Sequence, residues 1–121
     1  MTEIKRKPSI IHQTANESVV ELQLYIDEDI EDFNGHFPVY SLLPGVTQID
    51  WAIFFAKQYL SIPGEFQGME VIKFQAPILK GCEVTLKLEW HDEKGKLYFS
   101  YTSQDNNACL HTHSSGRILL G

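Results

Sequence analysis

Residues 33–60, FNGHFPVYSLLPGVTQIDWAIFFAKQYL, place a histidine, a proline–glycine pair and an aspartate where each could serve one reaction. His36 lies in a loop punctuated by Gly35, Pro38, Pro44 and Gly45, and Asp50 is a lone carboxylate in the apolar run Val46–Leu60. Imidazole, with an ordinary pKa of about 6.5, is mostly neutral at cytosolic pH and can accept a proton. A carboxyl among Val46, Ile49, Ile53 and Phe54 is expected to be buried, and desolvation would raise its pKa until it could donate one. Pro44 suits a first helical turn. The N–H groups of that turn lack partners and sit at the positive end of the helix. A carbonyl oxygen placed there would be polarised as in an oxyanion hole, and Gly45 would allow close approach. Base, acid and oxyanion donor together describe loss of water from a β-hydroxyacyl group. The held carbonyl acidifies its α-carbon, His36 takes that proton, and Asp50 protonates the departing hydroxyl. Each residue also has a plainer reading: Asp50 could face a polar gap and cap a backbone group, and His36 could be a solvent-exposed loop histidine.

These groups need elements that hold a loop against a helix. Pro8–Gln13 reads as a short first strand, and VVELQLYI alternates Val20, Leu22, Leu24 and Ile26 against polar neighbours, as a half-buried strand does. The helix then runs to about Leu60, where Ser61, Ile62, Pro63 and Gly64 stop it. MEVIKF reads as a strand. EVTLKLEW follows, turning Val84, Leu86, Leu88 and Trp90 inward. HDEKGK is a hairpin loop in which Gly95 can take positive φ. LYFSYTS and ACLHTHSSGRILL complete the sheet, with Gly116 at a bulge or bend. A helix apolar on nearly all sides must be wrapped, and a curling antiparallel sheet would wrap it. The class is α+β, in a single domain over residues 1–121.

The segment Gly35-His36-Phe37-Pro38, Leu43-Pro44-Gly45-Val46 and Asp50 resembles the active-site stretch of the hot-dog-fold 3-hydroxyacyl-ACP (acyl carrier protein) dehydratases of fatty-acid synthesis. The histidine-to-glycine spacing of nine and the histidine-to-acid spacing of fourteen agree with that family. LPGVTQIDWA resembles most the smaller ApeI-like branch associated with aryl-polyene clusters. The resemblance implies a curved antiparallel sheet around one long central helix, with His36 as base and Asp50 as acid. Gly45 would supply the amide for the thioester oxygen, assisted by Val46, and the Leu42 carbonyl would orient the histidine. It also implies a cytoplasmic homodimer with shared sites, no cofactor or metal, and an acyl carrier protein presenting substrate on phosphopantetheine. The acyl tunnel would be lined from Phe37, Trp51, Phe54, Phe55 and Phe74, each of which could equally be core packing. Val39 and Ser41 depart from the glycine and proline usual in the loop. Phe54 stands where the isomerising branch carries glutamine, so the resemblance does not extend to isomerisation. Two alternatives stay open: a hot-dog thioesterase whose helix acid activates water, and a non-catalytic hot-dog subunit.

Composition narrows the field further. A net charge of −6 argues against a general nucleic-acid binder and against adhesion to anionic membranes. No stretch approaches the roughly 20 apolar residues of a membrane span, and the basic start lacks the apolar core of a signal peptide. Cys82 and Cys109 have no metal-type spacing and are expected as reduced thiols. His111 and His113, two apart on one strand, would need a third ligand to bind metal. DEDIED reads as a solvated acidic loop. A carrier that is itself acidic would need a local basic patch, for which Lys73 with Lys80 and the cluster Lys5, Arg6 and Lys7 are candidates.

Overall fold

The structure, a computed structural model, describes residues 7–27, 30, 43–60, 62, 65–105, 107 and 109–121. His36, Phe37 and Leu42 therefore lie outside the described residues, as do Val39 and Ser41. Strands β1 (Ser9–Ala15) and β2 (Val19–Tyr25) precede helix α1 (Gly45–Tyr59). Strands β3 (Phe66–Phe74), β4 (Glu83–His91), β5 (Lys96–Gln104) and β6 (Leu110–Leu120) follow it. All six join one antiparallel sheet in the order β1-β2-β4-β5-β6-β3, leaving β1 and β3 as its edges. Among the described residues no helix is long and apolar enough to cross a membrane.

Alternation decides which face of the sheet is covered. Val20, Leu22 and Leu24 of β2, Val84, Leu86 and Leu88 of β4, and Leu97, Phe99 and Tyr101 of β5 are all buried on one side. Against them α1 lays Gln48, Trp51, Ala52, Phe55 and Ala56, spaced by three and four residues and hence on one helix face. Burying Trp51 and Phe55 contributes roughly 2–3 kcal/mol each. Trp90, expected inward, is half-buried, and its indole N–H donates to the Asp92 carboxylate at 3.3 Å.

Irregular pairing shapes the far side of the sheet. Glu70 pairs with Arg117 and Lys73 with Ser115, so β3 carries an extra residue there. Val71 takes φ 52°, a left-handed conformation costly for a β-branched residue. Gly116 sits opposite this bulge rather than forming one. A Cβ on it would stand 2.3 Å from Ile72 Cδ1, 3.1 Å from Phe99 Cε2 and 3.2 Å from Ile72 Cα. Gly116→Ala is therefore expected to destabilise the fold by about 1–3 kcal/mol, read as a lower urea midpoint; an unchanged midpoint would contradict this packing. A second extra residue, His113, lies on β6, where Tyr101 pairs with Ser114 but Thr102 with Thr112.

The sheet packs on the helix as the fold class expects, and what needs correction is the burial expected of Asp50. Among the described residues α1 is covered on one face: Val46 is 75% and Phe54 45% exposed, and Asp50 between them is exposed too. The described residues do not supply the burial expected of Asp50. Its stripe at i, i+4 and i+8 points away from the sheet that receives Trp51 and Phe55.

Candidate active site

Helix α1 opens without a cap. Pro44 stands at the N-cap position in extended conformation, no side chain bonds the first turn from that position, and that turn holds no acidic residue. Proline lacks the side-chain oxygen with which serine or aspartate would satisfy those amides. Gln48 N–H is the first to bond back, to the Pro44 carbonyl at 3.2 Å. The positive end of the helix is thus turned toward whatever enters the cleft before it.

That cleft, of about 380 Å3, is lined by Leu43, Gly45, Gln48, Phe74, Gln75, Ala76 and Pro77. Its walls are tied to the sheet. Leu43 N–H donates to the Ile78 carbonyl at 2.9 Å, fixing the chain just before the helix to the connection after β3. The His113 carbonyl accepts N–H bonds from Gln75 at 2.8 Å and Ala76 at 3.2 Å. The His113 ring lies 3.1 Å from the Pro77 carbonyl through Nδ1 and 2.7 Å from Ser103 Oγ through Nε2. A carbonyl only accepts, so Nδ1 carries a proton. Phe74 leans over the first turn: a Cβ at Gly45 would meet its ring at 2.7 Å. Only glycine admits the ring so near the helix entry.

Of the expected site residues, Gly45 and Val46 open the helix at the cleft, and Asp50 lies one turn further along the exposed stripe. Trp51 is 1% exposed and Phe55 is buried; both are core side chains rather than tunnel wall in the single chain. Phe54 is exposed, edge-on to Phe55 at 5.2 Å and beneath Lys7 Nζ at 4.6 Å. Phe74 is exposed beside Gly45. His111 pairs with Asp105 at 2.9 Å and His113 with Ser103, so the two histidines have separate partners. Lys73 lines a groove of about 360 Å3 with Lys87 and Arg117, on the sheet face opposite α1.

The sequence reading passed over Gln48. It lies 4% exposed, with Oε1 accepting from Ser114 Oγ at 2.6 Å and Nε2 donating to the Leu43 carbonyl at 3.2 Å. Tyr101 donates its hydroxyl to the Gln48 carbonyl at 2.6 Å, and complete burial pushes the Tyr101 phenol well above its ordinary pKa. Its signal was available: Gln48 stands with Thr47 at the spacing of Trp51, Ala52 and Phe55, and of those two it carries the amide.

The family model for ApeI-like proteins, described as ApeI dehydratase, matches residues 12–117. The chain is similar to a solved structure titled the dehydratase heterocomplex ApeI:P from Xenorhabdus doucetiae, at 39% identity and a TM-score of 0.83. The match covers 94% of this chain and 97% of that one. It is similar also to an uncharacterized protein from Erwinia carotovora subsp. atroseptica, 40% identical with a TM-score of 0.84, covering 95% and 96% of the two chains. A curated relative, the 3-hydroxyacyl-acyl-carrier-protein dehydratase FabZ of Koribacter versatilis, is 34% identical over 94 residues, 68% of this chain and 60% of the relative. The chain thus spans less than two thirds of that relative's length. One helix laid across a six-stranded antiparallel sheet is the hot-dog fold of these neighbours.

Proposed function

The chain belongs to the ApeI-like dehydratase family, and we propose from that premise that it removes water from 3-hydroxyacyl thioesters carried on an acyl carrier protein. The product is the trans-2-enoyl thioester, in fatty-acid or aryl-polyene-type biosynthesis. The observation that supports this best is the uncapped start of α1 facing a cleft, with a carboxylate one turn along. The thioester oxygen accepts from the Gly45 and Val46 amides, which stabilises the enolate as it forms. His36, oriented by the Leu42 carbonyl, takes the α-proton, and Asp50 delivers its proton to the leaving hydroxyl. The roles of His36 and Leu42 are carried over from the family's motif, which these positions match. Water leaves, and His36 and Asp50 exchange a proton with solvent before the next turnover.

Asp50 can act as an acid only if water is kept away, and the described residues of its own chain do not do that. We assign the covering to a second copy of the chain laid over Val46, Asp50 and Phe54. The free edge β3, with Met69, Val71 and Phe74 exposed, is its other contact. His36 of one protomer then faces Asp50 of the other. A second reading, a different hot-dog chain in that place, is favoured by the heterocomplex named for the Xenorhabdus doucetiae relative. The proposal places the protein in the cytosol, where Cys82 and Cys109, both free thiols, would stay reduced.

Incubating the protein with a 3-hydroxyacyl carrier protein and weighing the acyl group by mass spectrometry tests the reaction. Loss of one water is the expected result. Release of free carrier thiol instead would mean hydrolysis, and no change at all would leave a non-catalytic subunit.

A further inference from the structure

Of the two polar side chains that α1 buries, Thr47 and Gln48, Gln48 is held at three points: Ser114 of the sheet on its carbonyl oxygen, Leu43 before the helix on its amide nitrogen and Tyr101 of the sheet on its backbone. Glutamine is rarely so enclosed, and a methionine of similar volume would fill the same space without the cost of burying an amide. What methionine would not do is hold the Leu43 carbonyl. That carbonyl sits two residues before Gly45, in the stretch that sets the direction from which the chain enters the helix. Pro44 at the N-cap position offers no side-chain cap, and the Gln48 amide reaches back five residues and holds this entry from inside. Ser114 in turn fixes Gln48, and it follows His113, whose carbonyl holds the Gln75 and Ala76 amides of the facing cleft wall. One point on β6 therefore sets both sides of the opening.

We propose that Gln48 is a positioning residue for the dehydration: by tying the Leu43 carbonyl to Ser114 it keeps the Gly45 and Val46 amides aimed at the place where the oxyanion forms. This rests on the dehydratase reading above. The group touches no reacting atom and acts through the backbone it holds. Misplacing an oxyanion donor by about 1 Å can cost on the order of a hundredfold in rate. The loss falls on the transition state more than on ground-state binding, because the acyl chain and carrier hold the substrate by other contacts.

Three variants test this against wild type in steady-state kinetics with a 3-hydroxyacyl carrier protein: Gln48→Met, Ser114→Ala and the double variant. Gln48→Met is expected to lower kcat about 10- to 100-fold with KM within about threefold. Ser114→Ala should lower kcat less, and the double variant no further than Gln48→Met, since the two side chains act as one unit. Backbone amide exchange, followed by NMR, should quicken in Gln48→Met at residues 43 and 48, whose N–H groups bond the Ile78 and Pro44 carbonyls, while Leu86 and Leu88 in the sheet keep their protection. A folded Gln48→Met with kcat within about twofold of wild type, a loss confined to KM, or equal quickening throughout the core would each overturn the role. Wild-type protein that removes no water would sink the dehydratase reading and this one together; active wild type beside an unaffected Gln48→Met would sink this one alone.

Discussion

Asp50→Asn and His36→Ala are each expected to lower dehydration about a thousandfold while leaving the thermal midpoint within a few degrees of wild type. Asparagine keeps the shape of Asp50 but has no proton to give the leaving hydroxyl. Alanine at position 36 leaves the α-proton without an acceptor. Because both steps belong to one elimination, the double variant should be little slower than either single one. The location of the two groups makes a sharper test available. If His36 and Asp50 of one site come from different protomers, a hybrid of the two single variants has one site lacking both groups and one lacking neither. Random assortment makes half the dimers hybrid, so co-refolding equal amounts should recover about one quarter of wild-type turnover. Sites contained within single chains would recover nothing. Such a null result, from variants that do pair, would remove the shared-site arrangement while leaving the reaction itself standing. The position of Asp50 favours recovery: it is exposed on a stripe turned away from its own sheet, and a working acid there needs another chain to exclude water.

How far the sequence could be read depended on whether a residue's partner lay nearby along the chain. The alternation of Val20, Leu22, Leu24 and Ile26 gave β2 its buried face, and all four are fully enclosed. The hairpin between β4 and β5 was legible from Gly95, which takes φ 63° as its turn requires. The helix was legible too, and begins and ends within a residue of where Pro44 and Leu60 put it. Its orientation was not. Apolar side chains surround α1, so periodicity alone leaves open which stripe meets the sheet. Reading Asp50 as the buried polar group took Val46 and Phe54 for core, whereas the core face runs through Trp51, Ala52 and Phe55. Gln48 on that face was the discriminating residue, since only it finds Ser114 and Tyr101 across from it. The bulges at Val71 and His113 were beyond reach for another reason: a bulge is a count of two residues against one on a different strand, set by a partner far away in sequence. The start of β3 was missed likewise, because pairing of Phe66 with Leu120 and of Gly68 with Leu119 carries it back past a glycine that locally reads as a break.

Val46→Asp is expected to turn a dimer of 13.9 kDa chains into single chains, with its dissociation constant raised about a thousandfold or more. Val46 is the most exposed large apolar side chain of the described residues, at 75%, and it leads the stripe that continues through Asp50 and Phe54. Hiding it contributes roughly 1.5 kcal/mol per protomer, and replacing it by an unpaired carboxylate adds a desolvation cost of a few kcal/mol. In a two-fold interface each change counts twice, so the sum exceeds the roughly 4 kcal/mol that a thousandfold change requires. The fold of the single chain should not suffer. An aspartate in the first turn of a helix that has no acidic residue there is favourable by about 0.3–1 kcal/mol through the helix dipole. Monomer with an unchanged or slightly raised thermal midpoint is thus the expected signature, and it separates lost association from lost folding. Sedimentation of both proteins over a range of concentrations provides the measurement. A variant that stays dimeric would place the interface elsewhere. Wild type that runs at the mass of one chain would mean that copies of this chain do not cover the stripe, and would hand that surface to a different hot-dog subunit.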